Sequence, residues 1–165
     1  MEVYNRYQKA MYNVAYRILR DTAAAEDAMQ EGFITAFAKL DDFKGIATFG
    51  SWLKRIVINN SLTAYKKAKR YVPLEEGMVP EKEDVDYADE NENYESCKAA
   101  DLLNGMESLH ESYRRILSLH FIEGYDYEEI CEIMEISYAN CRTLVSRAKE
   151  SLRKKLQVAS WKKIN

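Results

Sequence analysis

The chain has 165 residues, 47% hydrophobic and 31% charged, with a formal net charge of -3. That is enough for one ordinary domain or two small ones with packed cores. No run approaches the roughly 18 apolar residues of a membrane span, and the opening MEVYNRYQKAMYN lacks the apolar stretch of a secretory signal, which argues against a membrane or exported protein.

Two prolines and six glycines are few, and helix formers dominate, so an all-α fold is predicted. Charge is unevenly spread. Residues 1–70 carry twelve Lys/Arg against seven Asp/Glu, residues 71–98 carry two against ten, and residues 99–165 carry ten of each. Both prolines, Pro73 and Pro80, lie in the acidic middle, YVPLEEGMVPEKEDVDYADENENYESCK, which has no sustained apolar period. It reads as a flexible linker over 71–98 between two small helical domains, 1–70 and 99–165. An acidic loop packed on one domain is the alternative.

A first helix is predicted over about residues 4–20, with Tyr4, Tyr7, Met11, Val14, Ala15 and Ile18 at helical spacing. Asp21 or Thr22 can cap a second helix from about Ala23 to Leu40. Its inner face is expected to hold Ala25, Ala28, Met29, Phe33, Ala36, Phe37 and Leu40. Glu26, Asp27, Gln30 and Glu31 lie mainly elsewhere. The helix dipole favours carboxylates in that first half, but it gives no reason for Gln30.

The stretch DDFKGIATFGSW breaks the period and reads as an ordered loop. A third helix follows, about Ser51 to Arg70, with Leu53, Ile56, Val57, Asn60 and Ala64 expected in the core. Lys54, Arg55, Lys66, Lys67, Lys69 and Arg70 make its exposed side and end basic. Phe43, Phe49 and Trp52 stand beside those cations. Rings next to cations suit single-stranded nucleic acid, where bases stack and phosphates are neutralised. Aromatics at a helix start are also ordinary core residues.

A helical hairpin is predicted over about 96–109 and 111–122, with Leu102, Leu103, Met106 and Leu109 facing Tyr113, Ile116, Leu117, His120 and Phe121. Glu123-Gly124 ends it. Asp126 and Glu129 then have capping-box spacing. Ile130, Ile133 and Met134 face inward, Glu135-Ile136 turns, and Ser137 caps a last helix whose buried stripe is Cys141, Leu144, Val145, Ala148, Leu152 and Leu156. Asn140, Arg142, Thr143, Ser146, Arg147 and Lys149 are left outside, with Tyr138 near the N-terminus. These are residue types that reach base edges and phosphates, in the layout of a helix-turn-helix.

Cys97, Cys131 and Cys141 are odd in number and form no CxxC, so reduced thiols are expected rather than a disulfide or metal site. That fits a reducing cytoplasm. The only histidines, His110 and His120, are ten residues apart, and no nucleophile–base pair, metal-ligand cluster or phosphate loop is present. No enzyme activity, cofactor or metal is therefore expected.

Two segments resemble one family. MYNVAYRILRDTAAAEDAMQEGFITAFAKLDDFKGIATFGSWLKRIVINNSLTAYKKAKR is similar to region 2, and ESYRRILSLHFIEGYDYEEICEIMEISYANCRTLVSRAKESLRKKL to region 4, of RNA polymerase sigma factors. The variety is the extracytoplasmic-function (ECF) type of the sigma-70 family, in the form common among Bacteroidetes. The resemblance implies a transcription initiation factor that binds core RNA polymerase, through its largest and second-largest subunits, and promoter DNA. On AEDAMQEGF, Asp27, Gln30, Glu31 and Phe33 would dock on the polymerase clamp helices. On FKGIATFGSWLKRIVIN, Lys44 to Ser51, with Phe49 among them, would be the loop that captures a flipped base of the minus-ten element. Trp52, Arg55 and Asn59 would support pocket and strand. Arg142, Thr143, Ser146 and Arg147, with Asn140 beside them, would contact the minus-thirty-five element. An anti-sigma partner, often membrane-bound, is also implied.

Three departures from the family pattern stand out. Members usually have more helix before the stretch matching Met1–Tyr7, Glu135 stands where glycine is common, and MESLHESYRR lacks a common proline. The competing readings are a stand-alone helix-turn-helix regulator, which leaves Gln30 and the basic-aromatic third helix unexplained, and a helical adaptor that never touches DNA.

Overall fold

The structure, a computed structural model, describes residues 2–71 and 99–164. The described residues are helical with no strand, and the chain divides into two compact units, Met1–Gly77 and Met78–Asn165. The acidic linker expected over 71–98 and Cys97 lie outside the described residues, apart from Tyr71.

The first unit is three helices: α1, Glu2–Leu19; α2, Thr22–Ala38; and α3, Phe49–Tyr71. Each packs on the other two. α1 buries Met11, Val14, Ala15 and Ile18, the stripe its sequence period predicts. Asp21 is the α2 cap: its carboxylate accepts from Ala24 N at 2.7 Å. α2 and α3 cross at Gly32, where an added Cβ would stand 2.5 Å from Val57 Cγ2. A short 3₁₀ turn, Leu40–Asp42, follows α2.

The third helix departs from expectation. It begins at Phe49 rather than Ser51, because Thr48 caps it: Thr48 Oγ1 accepts from Ser51 N at 3.2 Å and the Thr48 carbonyl from Trp52 N at 3.0 Å. Its buried face holds Leu53, Val57, Ile58, Ser61 and Leu62, while Ile56, Asn60 and Ala64 are only half-buried. α3 is wedged against both α1 and α2, so its covered arc is broad and turned toward Ile58. Ser61 is tolerated there because its hydroxyl donates to the Val57 carbonyl at 2.7 Å. Phe37 and Leu40, expected inside, are about half exposed: Phe37 falls on the uncovered side of α2, next to the fully buried Ala36, and Leu40 lies past its end in the 3₁₀ turn.

The second unit is α4, Ala99–Glu107; α5, Glu111–Leu117; α6, Tyr127–Met134; and α7, Tyr138–Ile164. α4 lies mainly on α7 rather than pairing with α5. That leaves Leu103 exposed while Met106 and Leu109 are buried. The helix expected to 122 is α-helical only to Leu117; Ser118–Ile122 is a wider π turn. The extra residue in that turn swings Phe121 out to solvent and tucks Leu119 in. His120 is held between the rings of Phe121 and Tyr127, each 5.1 Å away, and its Nδ1–H donates to the Tyr125 carbonyl at 2.9 Å.

Candidate nucleic-acid and partner interfaces

In the first unit the loop between α2 and α3 is built on rings. Phe43 lies 5.2 Å from Trp52 and 5.8 Å from Phe49, which is itself 5.8 Å from Trp52 and from Tyr7 of α1. The cluster anchors a chain that otherwise has little to bury. Beside it opens a pocket of about 200 Å³ lined by Asp42, Phe43, Lys44, Gly45, Ile46, Ala47 and Trp52. Gly45 turns the loop at φ 70°, a conformation that L side chains rarely adopt. Ile46, next to it, is 90% exposed at the rim.

Of the residues expected to capture the downstream strand, Lys44 and Trp52 line this pocket. Phe49 supports its wall from behind, and Ser51, exposed, is tied to Thr48 by a 2.9 Å hydroxyl pair. Arg55 and Asn59 continue along α3, half-buried and exposed, toward the exposed Lys66, Lys67 and Lys69. Asp42 was not anticipated. A carboxylate in a patch read as basic gives no positive signal in sequence; only the 3₁₀ turn that carries it to the pocket reveals it.

On α2, Asp27, Gln30 and Glu31 are exposed on one face. Phe33 is not on that face. It is 3% exposed, with its ring 4.8 Å from Tyr4, so it holds α2 against α1 and is unavailable to a partner. The apolar residues on the polar face are instead Ile34, 69% exposed, and Phe37, 49% exposed. Their spacing could have found them: Ile34 is seven residues after Asp27 and Phe37 seven after Gln30, two turns along the same face.

In the second unit the helix-turn-helix is formed by α6 and α7. Asp126 accepts from Glu129 N at 2.8 Å and Glu129 accepts from Asp126 N at 2.9 Å, the expected capping box. The turn is made at Glu135, φ 57° and ψ 45°, a left-handed residue usually better filled by glycine. Ser137 accepts from Asn140 N at 3.3 Å to open α7. Cys141, Val145, Ala148 and Leu152 are buried; Asn140, Arg142 and Thr143 are exposed; Ser146 and Arg147 are half-buried. The Thr143 hydroxyl donates to the Ala139 carbonyl at 3.0 Å, so in this rotamer it offers a ligand an acceptor and a methyl group. Lys149 lies over the Phe121 ring at 5.7 Å.

Cys131 and Cys141 are free thiols facing each other across the α6–α7 packing. Burial, and then the neighbouring Cys131, push the Cys141 thiol from 9.0 up to about 11, so it stays protonated and inert at neutral pH. Among the described residues no group of His, Cys, Asp and Glu is arranged to hold a metal, and no helix is long and apolar enough to cross a membrane.

Residues 3–71 match the family description "Sigma-70 region 2" and residues 99–152 match "Sigma-70, region 4". The chain is 32% identical over 169 residues to the ECF RNA polymerase sigma-E factors of Escherichia coli K12 and Salmonella typhimurium, covering 92% of this chain and 83% of theirs. The chain belongs to the ECF sigma factors. It is also 29% identical to the RNA polymerase sigma-H factor of Pseudomonas aeruginosa, with the same coverage. Among solved structures, its fold is shared with the sigma factor RpoE of Bartonella quintana, determined with the anti-sigma factor NepR (TM-score 0.61, 24% identity, 95% of this chain and 96% of that one). CnrH, determined with the cytosolic domain of CnrY, shares it less closely (TM-score 0.53, 20% identity, 95% and 86%). As a sigma factor the protein is a transcription initiation factor: it binds core RNA polymerase and directs promoter-specific initiation.

Proposed function

We propose that this sigma factor divides promoter recognition between its two units. The first holds the melted minus-ten strand, and the second reads the minus-thirty-five duplex. The pocket beside Phe43 and Trp52 carries this reading, because a ring-walled cavity for one heterocycle, next to a basic helix, is what a captured base requires. Lys44, Phe49, Ser51 and Trp52 form or brace the loop, and Arg55 and Asn59 follow the strand. Asn140, Arg142, Thr143, Ser146 and Arg147 enter the major groove on α7, with Arg142 and Arg147 as donors to guanine or phosphate.

Core polymerase docks on the α2 face through Asp27, Gln30 and Glu31. Ile34 and Phe37 supply the apolar contact first assigned to Phe33, since buried apolar anchors within a polar rim carry most of an interface's energy. An anti-sigma factor competes for exposed faces of the two units, as the partners of the two structural neighbours suggest. The protein acts without catalysing a reaction, in the cytoplasm, where polymerase and promoter DNA are found.

Run-off transcription with purified core polymerase and a library of host promoter fragments tests the reading. Start sites absent with core alone are expected, and aligning them yields both elements. Core binding without any new start would refute the promoter assignments, and no core binding would refute the docking face as well.

A further inference from the structure

Two thiols meet inside the helix-turn-helix. Cys141 lies one turn into α7 and is fully buried, and its Sγ–H donates to the Tyr127 carbonyl at 3.8 Å. That carbonyl is the one to which the Cys131 N–H bonds within α6, one turn back along the helix. A helical side chain leans toward the N-terminus, over that same turn. The Cys131 thiol therefore comes against Cys141, and the two hydrogen-bond side chain to side chain. Cys131 is only half-buried, so a small solute reaches it from solvent. The pair also joins the parts that set the reading geometry. The Cys131 carbonyl accepts from the N–H of Glu135 and from that of Ile136, the latter at 3.1 Å, which closes the turn. Cys141 stands in sequence between Asn140 and Arg142, both exposed on the outer face of α7.

We infer that Cys131 and Cys141 are an oxidisable dithiol, and that their disulfide weakens the reading of promoter duplex. The effect on DNA rests on α7 being the reading helix. A peroxide suffices as oxidant. The Cys131 thiolate attacks one peroxide oxygen, the O–O bond breaks, and the other oxygen takes a proton and leaves as water. Cys131 is then a sulfenic acid. Cys141, protonated and inert toward the peroxide itself, is held against this electrophile. Its sulfur attacks the Cys131 sulfur, the S–O bond breaks, and the departing hydroxide takes the Cys141 proton as a second water. Two thiols and one peroxide give one disulfide and two waters. The new bond draws two touching sulfurs to about 2 Å. Ile130 and Ile133 of α6 and Val145 and Ala148 of α7 are buried, and a close-packed interior transmits such a shift rather than absorbing it. α7 therefore moves against α6, and Asn140 and Arg142 move with it.

The test uses the full-length Cys97→Ser protein, in which Cys131 and Cys141 are the only thiols. It is treated with hydrogen peroxide, quenched with catalase and added to core polymerase. The expected product is a monomer with no free thiol in denaturant and with Cys131 and Cys141 in one cross-linked peptide. Its holoenzyme should bind a promoter fragment carrying the upstream element about tenfold more weakly than the reduced form, the cost of about one base contact. Dithiothreitol should restore the affinity. Cys131→Ala, treated alike, should keep both its remaining thiol and its affinity. A disulfide between two chains, oxidation of Cys131 without a disulfide, or a disulfide that leaves affinity unchanged overturns the inference while promoter reading by α7 stands. If the reduced holoenzyme is indifferent to replacement of the upstream element, promoter reading by α7 fails and the inference with it.

Discussion

Gly32 of α2 packs directly against Val57 of α3. A methyl group on Gly32 would stand 2.5 Å from Val57 Cγ2 and 3.4 Å from Val57 Cα. The neighbouring α2 face carries Gln30, Glu31 and Ile34, and α3 carries Trp52 and Arg55, so this crossing sets the spacing of two proposed interfaces. Gly32→Ala is expected to destabilise the protein by about 1–3 kcal/mol through overpacking. Adding Val57→Ala should restore part of that, making the pair more stable than the sum of the single changes. Urea denaturation of the four proteins checks this, and strict additivity would contradict it.

The left-handed residue at Glu135 is a local strain in the helix-turn-helix. Glu135→Gly is expected to stabilise the protein by about 1 kcal/mol, and Glu135→Ala by nothing, because only glycine loses the Cβ conflict at φ 57°. Thermal melts of the two variants separate this backbone effect from a change of charge.

Cys141 makes stability depend on alkaline pH. Its folded value, about 11, lies above the ordinary thiol value of 9.0, so the folded state holds this proton more tightly than the unfolded chain does. The contribution is fully present below about pH 9 and is lost as pH rises toward about 11. Between those limits wild type should lose stability more steeply than Cys141→Ala, though the variant starts lower because its packing is depleted. Parallel urea midpoints for the two proteins across that range would contradict the assignment.

Arg142 and Arg147 should separate groove readout from backbone contact. A base-contacting arginine replaced by alanine is expected to weaken holoenzyme binding to the upstream element by about 1–3 kcal/mol and relax one base position; a phosphate-contacting one weakens all sequences alike and lowers the salt slope by about one. Binding titrations at several salt concentrations on single-base promoter variants assign each residue, and no effect of either change would refute α7 as the reading helix.

The chain by itself, at a net charge of -3, is expected to bind promoter duplex poorly at physiological salt despite its basic helices. Fluorescence anisotropy with and without core polymerase checks this; tight binding by the free chain would overturn it.

Much of this was legible in the amino-acid order. The helices of both units follow from apolar spacing of three and four, because a helix that covers one side writes that side into its period. Asp126, Glu129 and Ser137 were readable as caps, and Asp21 as one of two candidates with Thr22, since a cap is a bond between residues three apart. The exposure of Asn140, Arg142 and Thr143 on α7 was readable for the same reason, since it is set by phase along one helix, while Ser146, Arg147 and Lys149 are half-buried. Tertiary structure decided what depends on two or more elements. It left Phe37 outside with Ile34, although its spacing had put it with Phe33 on the inner face, because α1 and α3 together cover only part of the α2 surface. It turned the α3 face toward Ile58 and Leu62 by wedging that helix between two partners. It put Phe121 in solvent through a π turn that local periodicity does not encode. And it brought Asp42, Lys44 and Trp52 around one pocket, a proximity created by a 3₁₀ turn and a left-handed glycine rather than by any repeating spacing.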